Sequence, residues 1–490
     1  MSNNIGFNVV IVGGGFSGTM VAVQLLRRDP SMSVAVVDKG IVPGRGVAYS
    51  TESDCHLLNV PAGSMSALPE EPDHWLRWAR ANYDPSIQPT SYLPRRVYGR
   101  YISSILDEAM GRYGVDHLRW IRGEVSSLTR ERSHINVRLT DGSTVVTQSA
   151  VLAAGNFPPA KLKISGLSRR SGLYFPSAWS ASALRDIPKD GSVLLIGSGL
   201  TSIDVAISLK SEGFNGHIHI LSRRGLMPQI HRQTAQWPQY WSEQSPRTTR
   251  GLVGLVRDQV RTAVAAGCDW RPVVDALRSV TPRIWQSWPL EERRRFMRHV
   301  RPYWEVHRHR IAPEIGQMIS ALLVDGQATL YAGRVTEYRE SSDQVEVVLR
   351  ERASRESSTR PERTLRVDRV INCTGPETDC RRIEGYLLRD LLARGLARPD
   401  RLFLGLDVDS AGAVIDSSGA ASDSIYAIGP ARKGSLWETI AVPELREQAS
   451  QLAEHLAARL GLQPVNEDAN GKRLRMPLER LRGAQDSAKR

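Results

Sequence analysis

Cysteine is scarce: the 490 residues hold four, Cys55, Cys268, Cys373 and Cys380. None stands in a C-x-x-C or C-x-x-x-x-C pair, which excludes a disulfide framework and a dithiol redox centre. Metal-ligand spacing is missing, and so is an iron–sulfur ligand run. No apolar run reaches the length of a membrane span, so no membrane partner is expected. The opening residues, MSNNIGFNVVIVGGG, carry no charged stretch before an apolar one and no small-residue cleavage site, which predicts a cytoplasmic location. Runs of five or six basic residues are also missing. The net charge of +13 is therefore arginine spread along the chain, suited to small anionic ligands, and no nucleic-acid partner is expected. The densest cluster, Arg293-Arg294-Arg295, is short and falls in a helical pattern. What is present is the composition of a globular protein, 41% hydrophobic and 24% charged, long enough for two or three domains.

NVVIVGGGFSGTMVAVQLL reads as a buried strand, a glycine turn and a helix. Gly13 permits the tight turn, Gly15 leaves room for a pyrophosphate, and Gly18 lets the helix pack close to the strand. The helix N-terminus offers free N–H groups and a positive dipole end. The next strand, SVAVVDK, ends in Asp38, where an acid can bind ribose hydroxyls. Residues 193–204, VLLIGSGLTSID, repeat the theme with Gly197, Gly199 and Ser202. The strand after them ends in Arg223 and Arg224, a pair that suits the 2′-phosphate of NADP and also describes a solvated strand end. Each unit leads into short alternating strands and then a buried strand with a small-residue stop. The stops are Ala153-Ala154-Gly155 and Cys373-Thr374-Gly375, and their glycines join the cofactor-binding candidates.

The pattern is an internal duplication offset by about two hundred residues, with the second unit inserted in the first. The fold class is α/β: two Rossmann-like dinucleotide-binding domains with a helical insert. Residues 1–165 form the first part of an FAD-binding domain, and 166–370 an NAD(P)-binding domain with the insert at 226–323. Residues 371–462 return to the first domain through IYAIGPARKGSLWETIAVPELREQA, whose turn begins at Gly429, and 463–490 form an aperiodic, disordered tail. Two dinucleotide sites imply a resident FAD and a visiting NADPH or NADH that delivers hydride to it.

Residues 44–61, GRGVAYSTESDCHLLNVP, are irregular and follow directly on Asp38. Long irregular stretches in compact domains are usually functional. Gly44 and Gly46 allow close backbone approach, and His56 and Asn59 offer donors and acceptors to the edge of a flavin ring. The insert is rich in tryptophan. There His299, Tyr303, His307 and Ile311 share a helical face flanked by Arg308 and Arg310. The face reads either as a lid binding a planar anion through His307 and Arg308 or as a cap whose tryptophans form its own core.

GRGVAYSTESDCHLLNVPAGSMSALPEEPDHWLRWA resembles a family of bacterial flavoproteins that includes FAD-dependent urate hydroxylase and the aspartate N-monooxygenases. LPRRVYGRYI, RPYWEVHRHRIAP, INCTGP and LWETIAVPELREQA extend the resemblance to about Ala449. It implies a single-chain monooxygenase in which NAD(P)H reduces FAD and the reduced flavin traps O₂ as a C4a-hydroperoxide. The small-molecule substrate would be urate, hydroxylated to 5-hydroxyisourate, with His56 a candidate acid or base. The alternatives are an amine nucleophile such as aspartate, giving N-hydroxylation, and a flavin reductase serving a partner protein. The resemblance carries Gly13, Gly15, Gly18, Asp38, Asn59 and Arg100 to FAD. One departure is Gly429-Pro430, where many related flavoproteins have Gly-Asp, so the carboxylate contact to the cofactor is missing.

Overall fold

The computed structural model describes residues 6–168, 171–180, 182–353 and 361–460, with the backbone of 466–467 and 473–474. The rest of the tail expected from 463 onward lies outside the described residues. The first unit opens with β1 (Gly6–Val12), α1 (Phe16–Arg28) and β2 (Val34–Asp38). A short α2 (Gly46–Tyr49) interrupts the irregular stretch, followed by α3 (His74–Asn82), α4 (Arg95–Tyr113) and β3 (Leu118–Arg122). A meander of β4 (Val125–Arg130), β5 (Ile135–Leu139) and β6 (Thr144–Leu152) then leads back beside β1.

The second unit runs through β7 (Tyr174–Phe175), β8 (Ser192–Ile196), α5 (Leu200–Ser211) and β9 (His217–Ser222). The helical insert supplies α6 (Thr249–Ala265), α7 (Arg271–Ala276), α8 (Thr281–Ser287), α9 (Leu290–His299) and α10 (Arg301–Arg308). Next come α11 (Pro313–Val324), β10 (Ala328–Glu340), β11 (Val345–Glu351), β12 (Glu362–Val367) and β13 (Arg369–Asn372). The return consists of α12 (Tyr386–Ala393), β14 (Ala413–Ile415), β15 (Ala421–Ala427), α13 (Lys433–Leu436) and α14 (Val442–Arg459).

The first sheet has the order β14-β15-β6-β1-β2-β3, and β1 is parallel to both β2 and β6. Five of the seven residues of β1 are buried, as a central parallel strand covered on both faces requires. The second sheet is ordered β12-β11-β10-β9-β8-β13-β7. The duplication is visible in the pairing. In the first unit β3 runs parallel to β2 and β4 antiparallel to β5, with a break between them at residues 123–124. In the second unit the single strand β10 does both jobs. Its first half, Ala328–Ala332, is parallel to β9, and its second half, Gly333–Glu340, is antiparallel to β11. The two crossings between the units run side by side, joined by the bridge Pro159–Pro376.

The return completes the first core: Leu445, Ala449, Leu452, Ala453 and Leu456 of α14 pack with Met20, Val21 and Leu25 of α1. Two boundaries shift from the sequence-based ones. α11 is the crossover helix of the second unit, with Ile315, Ile319 and Leu322 in the core under its sheet, so the insert proper ends before Pro313. β13 belongs to the second sheet, which carries that unit past residue 370 to Asn372. The insert tryptophans Trp241, Trp285 and Trp288 form a core of their own with Phe296, joined by Leu404 and Trp437 of the return.

Candidate functional site

Gly13 has φ +107°, and a Cβ there would stand 2.3 Å from the Ala153 carbonyl oxygen. A Cβ on Gly18 would stand 1.9 Å from the Gly13 oxygen, so the helix can lie against the strand only without one. Gly15 caps α1 with no side-chain hydrogen bond, leaving the helix N–H groups free for an anion. Facing it is Gly46, whose Cα would be 3.3 Å from a Gly15 Cβ. Asp38 accepts the Gly14 N–H at 2.5 Å on one oxygen and the Gly40 N–H at 2.6 Å on the other. Each oxygen keeps a further lone pair, so the carboxylate is held beside the turn with capacity to spare. Gly14 was not singled out in the sequence, yet a side chain there would collide with the Trp120 ring. Gly429 of the return has φ +76°, a Cβ there would meet Ser17 Oγ at 3.2 Å, and its N–H donates to Gln448 Oε1 at 3.3 Å. Ser17 and Gln448 are thus the polar side chains beside the Gly429-Pro430 pair that lacks a carboxylate.

The second turn is built the same way. Gly197 has φ +125°, and a Cβ there would stand 2.3 Å from the Cys373 carbonyl oxygen. A Cβ on Gly199, Gly155 or Gly375 would meet nothing within 4 Å, so these positions border open space. Ser202 is fully buried, and its hydroxyl has no hydrogen-bond partner. Burial pushes the Cys373 thiol up, which keeps it protonated and inert. Arg223 is exposed at the strand end. Arg224 is committed elsewhere: it donates to the Arg298 carbonyl at 3.2 Å and lies over the Tyr303 ring at 5.4 Å.

The irregular stretch proves to be the seam between the units. His56 does not present a ring edge to a cofactor, because both its nitrogens are taken, Nδ1 by Thr51 Oγ1 and Nε2 by Ser208 Oγ, each at 2.8 Å. Burial pushes its pKa down, with Asp204 opposing and Arg95 assisting. Asn59 offers its backbone carbonyl to His231 Nε2 at 2.9 Å, again across the seam. Arg100 is exposed on α4 and lies over the Tyr83 ring at 5.9 Å. The arginine beside the first turn is instead Arg45, between Gly44 (φ +85°) and Gly46 (φ +59°), with Nη1 paired to the exposed Glu52 at 3.0 Å and its Nε buried and unpartnered. An arginine between two glycines just past the ribose acid was the available signal.

The insert residues are also placed differently from the expected lid. His307 donates its Nδ1–H to the Tyr303 carbonyl at 2.7 Å within its own helix turn and packs edge-on against Trp270. Arg308 is buried and faces carboxylates, Glu444 at 3.3 Å and Glu438 at 3.9 Å. Its charge is neutralised there, so it is not a free guanidinium awaiting an anion. Glu438 also accepts from Trp304 Nε1 at 3.1 Å. Burial pushes this carboxyl up, but Arg308, His309, the Trp304 N–H and Lys433 together bring it below its ordinary value. It follows Trp437, whose φ of +66° and ψ of −57° close a γ-turn from the Glu438 N–H to the Leu436 carbonyl at 2.8 Å. Such a turn on a bulky residue is strained and persists because its surroundings hold it.

An FAD-NAD(P)-binding family model matches residues 10–157. No curated protein matches the chain. Among solved structures, L-lysine 6-monooxygenase from Pseudomonas syringae superposes with a TM-score of 0.64 at 14% identity, covering 93% of this chain and 100% of that one. The FAD-bound cadaverine monooxygenase of Erwinia amylovora gives 0.62 at 13%, covering 96% and 99%. The ornithine N-hydroxylase of Kutzneria sp. 744, with reduced FAD, NADP⁺ and L-ornithine, gives 0.61 at 12%, covering 93% and 99%. At these identities the likeness is one of fold: two Rossmann-like sheets in one chain. Among the described residues no helix is long and apolar enough to cross a membrane, and no cluster of three or more metal-ligating side chains occurs.

Proposed function

We propose that this chain is an FAD-dependent, NAD(P)H-consuming monooxygenase that N-hydroxylates a small amine. The observation that carries the reading is the pair of glycine turns. Each is pressed onto a strand end by the same backbone contact, and each opens a helix whose N-cap makes no side-chain hydrogen bond. Among the described residues, only the first is closed over by a returning segment, at Gly429. A closed turn suits a resident dinucleotide, and an open one suits a nicotinamide that comes and goes. The first turn fits FAD: it has free N–H groups for a diphosphate, Arg45 alongside, Asp38 for ribose, and a floor that tolerates no Cβ at Gly13 or Gly18. FAD supplies electron acceptance from NAD(P)H and activation of O₂.

This chain's residues bind and align. The α5 N-terminus with Gly197, Gly199 and Ser202 would receive the second diphosphate, and Arg223 the 2′-phosphate. The net reaction converts an amine, O₂, NAD(P)H and a proton into a hydroxylamine, NAD(P)⁺ and water. Amine chemistry is favoured over urate by the insert, where the guanidinium expected to meet an anion is already paired with two carboxylates. The three solved neighbours named above are described by the amines lysine, cadaverine and ornithine, and none by urate. Aspartate remains within the same class.

The test is purified protein carrying about one FAD per chain, assayed for NADPH oxidation with lysine, ornithine, cadaverine, aspartate and urate in labelled O₂. A hydroxylamine that has gained one labelled oxygen supports the proposal. Labelled product from urate alone replaces it with the urate reading. Turnover restored only by a protein acceptor replaces it with a reductase.

A further inference from the structure

α5 opens at the second glycine turn, so whatever fixes α5 fixes that turn. The first unit grips one face of this helix at two points. Asp204, just past Ser202, receives both terminal nitrogens of Arg95, Nη1 at 2.8 Å and Nη2 at 3.0 Å. The two side chains are only 11% and 13% exposed. Arg95 also donates its Nε to the Leu57 carbonyl at 3.1 Å and its backbone N–H to the His56 carbonyl at 2.8 Å. One helical turn beyond Asp204, Ser208 Oγ meets His56 Nε2 at 2.8 Å, and Thr51 holds the far side of that ring. Residues 51–57 and the first residue of α4 thus form a bracket, and Asp204 and Ser208 are the two teeth it holds.

The seam already has apolar contact, since Cys55, Leu57 and Tyr92 pack against the core of the second unit. A buried ion pair adds little net stability over apolar packing of the same volume. A bidentate guanidinium–carboxylate pair does fix distance and angle. Polar anchoring at two points on one helix is therefore suited to alignment more than to adhesion.

We propose that Asp204 and Ser208 are positioning residues for flavin reduction: held by Arg95 and His56, they set the angle of α5 and so of the Gly197–Ser202 turn against the first cofactor site. The inference rests on the function proposed above. The step served would be hydride transfer, with bound NAD(P)H supplying the hydride and bound FAD accepting it, which would leave NAD(P)⁺ and the reduced flavin anion. That transfer requires the reacting atoms at roughly 3–3.5 Å, and a displacement of about 1 Å can slow it about a hundredfold.

Asp204→Asn and Asp204→Glu are made in the full chain loaded with FAD. Anaerobic mixing with NADPH reads the reductive half-reaction, and dithionite reduction followed by mixing with O₂ reads reoxidation. Asp204→Asn is expected to slow reduction about tenfold or more and leave reoxidation unchanged, with Asp204→Glu recovering part of the rate. Reduction at the wild-type rate overturns the proposal, and so does equal slowing of both half-reactions, which marks a merely structural role. If Asp204→Asn fails to retain FAD, Ser208→Ala removes only the link to His56 and receives the same two measurements; unchanged reduction in that variant overturns the proposal. Wild type that holds FAD but is reduced by neither NADPH nor NADH overturns the proposed function, and the positioning role with it.

Discussion

Gly13 and Ala153 meet backbone to backbone, and Gly197 repeats the relationship with Cys373, each leaving 2.3 Å between an added Cβ and a carbonyl oxygen. Two lesions of the same chemistry should therefore have separable results. Gly13→Ala is expected to yield protein without bound flavin. Gly197→Ala should retain yellow, FAD-loaded protein that NADPH no longer reduces efficiently. Both also place a Cβ at positive φ, and overpacking of this kind destabilises by about 1–3 kcal/mol. Flavin content by absorbance and anaerobic reduction decide the matter; a Gly13→Ala protein with full FAD contradicts the assignment of the first turn.

Arg308 is expected to act through packing. Arg308→Ala leaves Glu438, 3% exposed on its side chain, without its guanidinium, while Glu444 keeps its pair with Arg278, and removal of one partner from a buried pair costs about 3–5 kcal/mol. The thermal midpoint should fall, and flavin should be lost on heating at a lower temperature. A selective rise in KM for anionic substrates, with stability unchanged, would instead restore Arg308 as a substrate contact.

The adjacent arginines of β9 should differ. Arg223→Ser is expected to reduce preference for NADPH over NADH about ten- to a hundredfold, matching roughly 1.5–3 kcal/mol for a charge-assisted contact. Arg224→Ser should loosen the joint with Tyr303 and the Arg298 carbonyl, with less change in that preference. Steady-state kcat/KM for both nucleotides measures it, and a wild type that uses NADH as well as NADPH rules the arginine reading out.

His231 links pH to the integrity of the seam. Burial, assisted by the charge of Arg310, pushes its pKa down from 6.5 to about 4. Because the folded pKa lies below the unfolded one, the unfolded chain binds the extra proton between these values. The stabilisation is full above about pH 6.5 and is lost as pH falls toward 4. The thermal midpoint of wild type should decline across that window more steeply than that of His231→Gln, and parallel curves would refute the assignment.

What the sequence made legible is what physics confines to short range. A glycine turn between a buried strand and a helix is specified within a dozen residues, so both turns, their small-residue stops and the inserted order of the units could be read directly. The seam could not. His56 looks like a ring-edge group because its partner Ser208 lies in another unit, and polar contacts across a joint follow no period. Arg308 was open to the same error, since Glu438 and Glu444 come much later in the chain. α11 was merged with the insert because a crossover helix and a cap helix share the 3.6-residue pattern and differ only in what they cover.

Residues 226–312 encode the insert, yet its core also needs Leu404 and Trp437. A ribosome releases Trp241, Trp285 and Trp288 long before either arrives. Folding proceeds from the N-terminal side as domains emerge, so the insert must wait with its aromatic surface uncovered while the second sheet and the return are made. The helical cap thus closes its core only once Trp437 has emerged, and the first core waits longer still, for Leu456 of α14.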